Sequence, residues 1–504
     1  MDVIIKRKHC NLNQIKFIID KIKKYDRVKK RTIRSCEFYD KENNKSKVPE
    51  GESIKINCLW LIEIYTPDTI NKLISNLKKL NWNRSFFSSY KDNLSQIIRQ
   101  VRENDSHSWH NFGYIMPRNV KSLFESKTSD LPAGIDCIKL SMTHSTASTT
   151  ILIFKFILSN DSRSMYENLL NKQYSTYTKK INNGFMYITP FKQKSEAIKN
   201  SRNELTQKCK RWIQKNLGGF YTSNNLLAEM PIYDFLTIEN TKLFSINKKT
   251  LFDYKHILNL DSSDNIWRIN DIPGLFLRFK SSMNDSPSYV SLVGDCKEIL
   301  KGKDLSDYGS DKNTQIVNYL DYFDQTLVVF ALFNLHHTYK TQISKIRDKI
   351  SNIELSNIKK ASVSFLEISK EFAKVDGNIT YFSNELKNLC KYKDIFLHNI
   401  YSMTTYDIEF FDREELTNSI RKSLISNSVI LEKTHNNLRS VFNTTSQIIN
   451  SLSNEKLSRR NIWLQTFMAI LTLAMLLLTC VSLYNNDNIQ DIIKSTNMIN
   501  KFPF

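Results

Sequence analysis

Hydrophobic positions along this chain follow two regimes, short β-type runs before residue 311 and long helical repeats after it. Asn57 to Tyr65 (NCLWLIEIY) is an almost continuous apolar and β-branched run, and Thr66-Pro67-Asp68 then supplies a cap, a first-turn proline and an acid. A strand is predicted there, feeding a helix that places Ile70, Leu73, Ile74, Leu77 and Leu80 on one face. A polar excursion over 81–134 follows, with a short helix near Leu94 to Arg102. Ile135 to Thr143 alternates, and Thr149 to Leu158 (TTILIFKFIL) is predicted as its hairpin partner across a turn at His144 to Ser148. Ser159 caps a helix reaching Tyr174, and Phe185 to Thr189, before Pro190, reads as a further strand. The order β-α-β-β-α-β is that of the split βαβ, ferredoxin-like unit, with a long insertion after its first helix.

Residues 192–217 predict a basic amphipathic helix around Ile198, Leu205 and Trp212, stopped by Gly218-Gly219. From Pro231 to Lys301, apolar runs at Ile232 to Ile238, Leu275 to Phe279 and Tyr289 to Val293 alternate with Asn, Asp, Ser, Pro and Gly clusters, which suggests a second α+β unit. Beyond Asp311 proline is absent until Pro503, and helices are expected from about Asn313 to Asn352, Ser356 to Lys387 and Glu414 to Tyr484. Leu327 to Leu335 is too short to span a bilayer and reads as a buried helix face. In the third helix Leu424, Leu431, Leu438, Thr445 and Leu452 recur every seven residues, with Ile420, Asn427, Thr434, Val441 and Ile448 as partner positions. That seam joins copies of the chain in a coiled coil or packs the helix on the two before it.

Ile462 to Tyr484 is an uncharged apolar run of 23 residues, roughly 35 Å of helix against the roughly 30 Å hydrocarbon core of a bilayer. Trp463 and Tyr484 sit at its ends, and Lys456, Arg459 and Arg460 crowd its N-terminal flank. Aromatic rings settle at headgroup level and positive flanks stay inside, so the run predicts a single transmembrane helix of a plasma or inner membrane with a cytoplasmic N-terminus. No apolar h-region with a cleavage site precedes it that would export the first 460 residues. The expected organisation is a basic segment 1–50, an α+β domain 51–190 carrying the insertion 81–134, a second α+β unit 191–310, a helical bundle or coiled-coil stalk 311–461, the span 462–484, and a short non-cytoplasmic tail 485–504.

Composition narrows the chemistry. With 504 residues and 41% apolar content the chain can bury real cores, and its eight cysteines are scattered singly, which suits a reducing compartment. The net charge of +21 suits anionic lipid or nucleic acid, most sharply at residues 6–34, while its Asn, Ile and Lys richness is the bias that AT-rich coding sequence produces. No phosphate-binding, nucleophile-elbow or zinc-hydrolase motif occurs, and no catalytic residue, cofactor or metal site is assigned. His107, His110 and His144 lack a Cys or acidic partner at ligand spacing and read as surface or packed histidines. Gln465, Thr472 and Thr479 recur every seven residues and share one face of the span, a stripe suited to helix packing or to lining a pore.

An α/β region, two helices, and a stalk helix running into a span that ends in Leu483-Tyr484-Asn485-Asn486-Asp487 resemble the layout of CorA-type divalent-cation channels over residues 311–487. In that family a pore-lining span ends in Tyr-Gly-Met-Asn and a second span follows. Here only Tyr484 and a displaced Asn match, and no second apolar run follows. The resemblance implies an oligomeric channel or effector whose span lines an ion pore. The residues by themselves point to a membrane-anchored sensor or binding protein that oligomerises through its stalk, with an unnamed ligand.

Overall fold

The computed structural model describes residues 41–82, 94–103, 108–120, 127–181, 184–240, 253–258, 260, 266–279, 289–309, 311–391, 402–405 and 415–484, together with 20, 21 and 23. The basic cluster of residues 6–34, apart from Lys21 and Lys23, lies outside the described residues, as do His107 and the tail 485–504. The chain divides into two compact units, residues 1–340 with 377–432 and residues 341–376 with 433–504.

The first unit is built on a mixed sheet. Its strands are β1 (Ile54–Tyr65), β2 (Ser108–Pro117), β3 (Lys127–Ser129), β4 (Ile135–Thr146), β5 (Thr149–Leu158), β8 (Ile232–Ile238), β9 (Ile266–Ile269), β10 (Leu275–Phe279), β11 (Tyr289–Asp295) and β12 (Met403–Thr405), while β6 (Tyr177–Ile181) and β7 (Gly184–Ile188) form a separate hairpin. The order is β12-β9-β10-β11-β8-β1-β5-β4-β2-β3, with β8-β11 and β2-β3 parallel and the other pairs antiparallel. Residues on either side of the expected boundary at 190 therefore share one sheet. The predicted strand at Phe185 to Thr189 exists as β7 but, among the described residues, pairs with β6, and β8 takes the edge of β1 instead.

The helices used below are α1 (Ile70–Lys79), α2 (Met165–Asn171), α3 (Pro190–Leu217), α4 (Phe220–Ser223), α5 (Lys312–Tyr319), α6 (Asp324–Ser351), α7 (Ile358–Lys391) and α8 (Leu416–Tyr484). On one face of the sheet Trp212 of α3 meets Phe154 and Phe156 edge-on at 6.3 and 5.9 Å. On the other, Phe323 lies 6.4 Å from Trp60, and Phe330 of α6 meets Phe279 at 5.0 Å. Coverage of both faces explains why β1 and β5 are apolar without alternation. Leu327 to Leu335 is buried all round the helix.

Local chemistry decides several boundaries. Thr66 does not cap α1; its carbonyl accepts from the N–H groups of Thr69 and Ile70, closing a turn that delays the helix to Ile70. Thr189 caps α3, its hydroxyl accepting from Lys192 N–H at 3.3 Å, with Pro190 in the first turn. Gly219 passes so close to β1 that a Cβ there would meet the Ile64 carbonyl oxygen at 2.6 Å. That approach lets the buried Glu63 carboxylate accept from Tyr221 N–H at 2.8 Å and Thr222 N–H at 3.3 Å. Burial raises the Glu63 carboxyl to about 7 against the pull of those N–H groups.

The second unit contains parts of α6, α7 and α8. Phe365 and Phe372 of α7 stack on Phe442 of α8 at 4.8 and 4.6 Å, and Arg439 makes a two-pronged bond to Asp376 at 2.6 and 2.8 Å. Contacts that advance along α7 as they retreat along α8 make the two segments antiparallel. The same helix α8 carries the apolar run 462–484, the one helix among the described residues long and apolar enough to cross a membrane.

Candidate functional site

Strand register lines up one row of side chains across the first unit's sheet. Tyr233 of β8 pairs with Trp60, Trp60 with Lys155, Lys155 with Lys139, and Lys139 with Tyr114. Lys155 is 1% exposed in the middle of TTILIFKFIL. An ammonium there is tolerable only if it is paired and hydrogen-bonded. Both needs are met from the 3-10 turn Leu320–Phe323 that interrupts the long helix expected over 313–352. Asp321 takes Lys155 at 2.8 Å and Lys139 at 2.5 Å, and Lys155 also donates to the Val317 carbonyl at 2.6 Å. The Lys155 ammonium lies 5.4 Å over the Trp60 ring.

Asp324, the first residue of α6, is buried one turn on. Trp60 Nε1 donates to it at 2.8 Å and Ser141 Oγ at 3.1 Å. Burial lifts the Asp324 carboxyl above the usual range despite Lys155 and Lys139, whereas for Asp321 burial is outweighed by the same two lysines, which hold it below that range. Beside the pair lies a cleft of about 400 Å³ that Lys139, Ser141, Asp321 and Asp324 line together with Tyr114, Trp109 and Tyr308. Its size is that of a small-molecule site. Asp321 engages both lysines, and the arrangement offers a polar, aromatic-walled recess.

The residues singled out from sequence fall elsewhere. In the apolar run the Thr472 and Thr479 hydroxyls donate at 2.8 Å to the carbonyls of Met468 and Met475 one turn back, and Gln465 is exposed on the same helix. Leu424, Leu431 and Leu438 are buried and Leu452 is half-buried. Of the expected partner positions Ile420 is buried and Asn427 and Thr434 are half-buried, but Val441 and Ile448 are each 42% exposed, and towards the end of the stripe the row moves one residue on, to His435, Phe442 and Ile449. Lys456, Arg459, Arg460 and Trp463 are exposed, Trp463 stacks on Phe467 at 5.6 Å, and Tyr484 ends α8. His110 and His144 meet edge-on with ring centres 6.5 Å apart, and no group of three metal-ligating side chains forms among the described residues. Sequence pattern alone does not mark the row of Lys139, Lys155, Asp321 and Asp324 as a site. A lysine inside a ten-residue apolar strand was its one sequence signal.

No family model matches the chain, and no curated protein matches it. Among solved structures the chain is similar to the CorA magnesium transporter of Methanocaldococcus jannaschii, at 11% identity over 53% of this chain and 87% of that one, with a TM-score of 0.23. A superposition that loose carries neither a pore nor a substrate across to this chain.

Proposed function

We propose that this chain is a single-pass membrane protein of a plasma or inner membrane, cytoplasmic at its N-terminus, that binds a ligand with its sheet-bearing unit and self-associates through its helical stalk. The observation that carries the reading is the run 462–484. Its large apolar side chains from Ile462 to Leu483 are 44–69% exposed, while α8 as far as Ile449 buries a stripe of side chains. Each such side chain left in water forgoes about 1.5–3 kcal/mol, a cost that a bilayer removes. Lys456, Arg459 and Arg460 set the orientation.

The cleft beside Lys139 and Asp324 is where we place the ligand. We read β1, β4, β5 and β8, antiparallel neighbours in the order β8-β1-β5-β4, as the four strands of a ferredoxin-like unit. Self-association is supported by Val363, Leu366, Val441 and Ile448, which stay exposed in the second unit. The pore alternative rests on Gln465, Thr472 and Thr479, and it is weakened by the two threonine hydroxyls bonding to their own helix.

Alkaline carbonate extraction of membranes carrying the full chain tests the anchor. The chain is expected to stay in the pellet, and the Leu471→Arg/Leu476→Arg variant, which adds about 2.5–3.5 kcal/mol per arginine to insertion, is expected in the supernatant. Release of the unaltered chain would overturn the reading.

A further inference from the structure

A second cleft, of about 480 Å³, opens in the first unit away from the Lys139 row, and its basic groups have no carboxylate within hydrogen-bond distance among the described residues. Three elements deliver a cation each: Lys55 from β1, Arg163 from the short helix Asn160–Arg163 that follows β5, and Lys312 from the start of α5. Arg163 is buried, and its Nε donates to the Leu158 carbonyl at 2.9 Å, which fixes the guanidinium in place. Its Nη1 stands 3.8 Å from Asp311, beyond hydrogen-bond distance, and Lys312 stands 4.0 Å from Glu239. Lys55 is half-buried and forms no ion pair among the described residues. Asp311, which with Glu239 also lines the cleft, is engaged at the start of α5, where it accepts from Asn313 N–H, Thr314 N–H and the Thr314 hydroxyl.

In the first cleft two lysines close on one carboxylate at 2.5 and 2.8 Å, with Asp324 as a second acid beside them. Here three cations from separate elements face one recess with their carboxylates at arm's length, and the Ser164 hydroxyl and the Asn160 amide add neutral hydrogen-bonding groups. A tetrahedral oxyanion is the ligand that such a set satisfies, because a fixed guanidinium bonds two of its oxygens while ammonium groups neutralise it as point charges.

We propose that the cleft lined by Lys55, Arg163 and Lys312 binds a phosphomonoester group, carried by a free metabolite or by a lipid headgroup. The full chain in nanodiscs of uncharged lipid is titrated with radiolabelled inorganic phosphate at constant ionic strength. Saturable binding is expected, weakened at least tenfold in Lys55→Gln and in Lys312→Gln and unchanged in Lys79→Gln, an exposed lysine on α1. A second arm omits phosphate and places phosphatidic acid in the nanodisc. A rise in unfolding temperature that Lys55→Gln abolishes assigns the headgroup, whereas binding confined to the first arm assigns a free phosphate. Circular dichroism confirms that each variant folds, and Arg163→Lys, which keeps the charge and loses the fork, is expected to bind more weakly than the unaltered chain. No saturable binding in either arm, or binding that Lys55→Gln and Lys312→Gln leave unchanged, overturns the proposal without bearing on the membrane anchor.

Discussion

Lys139 and Lys155 face each other across adjacent antiparallel strands, and both ammonium groups close on the carboxylate of Asp321 at 2.5 and 2.8 Å. One turn thus ties the centre of the sheet to the start of α6. The 3-10 geometry of Leu320–Phe323 aims Asp321 at the lysines and leaves Asp324 to receive Trp60 and Ser141.

Removing Asp321 leaves Lys155 charged and buried. Asp321→Asn is expected to cost about 3 kcal/mol, the scale for breaking a buried pair by deleting one partner. Adding Lys155→Met to that variant is expected to recover part of the loss. Thermal unfolding of the detergent-solubilised chain checks both, and an unchanged midpoint in Asp321→Asn would show that the pair ties nothing.

Glu63 sets a pH dependence of definite sign. Its folded carboxyl sits at about 7 against an ordinary 4.5, so the favourable contribution of the protonated form is full below pH 4.5 and is lost as pH rises through about 7. Relative to Glu63→Gln, the chain is expected to lose up to about 3 kcal/mol between pH 4.5 and pH 8. Unfolding midpoints of the two proteins across that range give the comparison, and parallel curves would contradict it.

In the second unit Phe442 is the residue that α7 and α8 share. Phe442→Ala removes two stacked contacts and, from a half-buried site, is expected to cost about 2–3 kcal/mol, below the ~3–5 of a fully buried phenylalanine. Val441→Ala, one residue earlier on the exposed face, is expected to change unfolding little. Equal effects would mean that the seam runs through Val441 after all.

These residues also show what the sequence disclosed. The heptad leucines mark the buried stripe of α8 because period is visible in one strand of text, but the partner row depends on which way the helix turns towards α7, and it fell one residue later, on His435 and Phe442. Apolar runs located β1, β4, β5 and β8, yet the neighbour of β1 could not be read from order, since β7 met the same criteria and pairs elsewhere. The Lys139, Lys155 and Asp321 cluster joins residues up to 182 apart in sequence; strand register sets the two lysines side by side and the turn Leu320–Phe323 adds Asp321. The span was legible because a bilayer asks only for length and apolarity.

If the stalk self-associates, the exposed row must be part of the contact. The solubilised chain is expected to show a mass of several protomers by light scattering corrected for detergent, and Val441→Lys/Ile448→Lys a single one, with insertion retained. A monomeric unaltered chain would confine the heptads to packing between α7 and α8.

The most direct test of the account is protease protection after translation into sealed microsomes. A single N-in span predicts that added protease digests the N-terminal part and leaves a protected fragment that starts near Arg460 and carries an epitope placed after Phe504. Digestion of the epitope without detergent, or protection of the N-terminal part, would contradict the account.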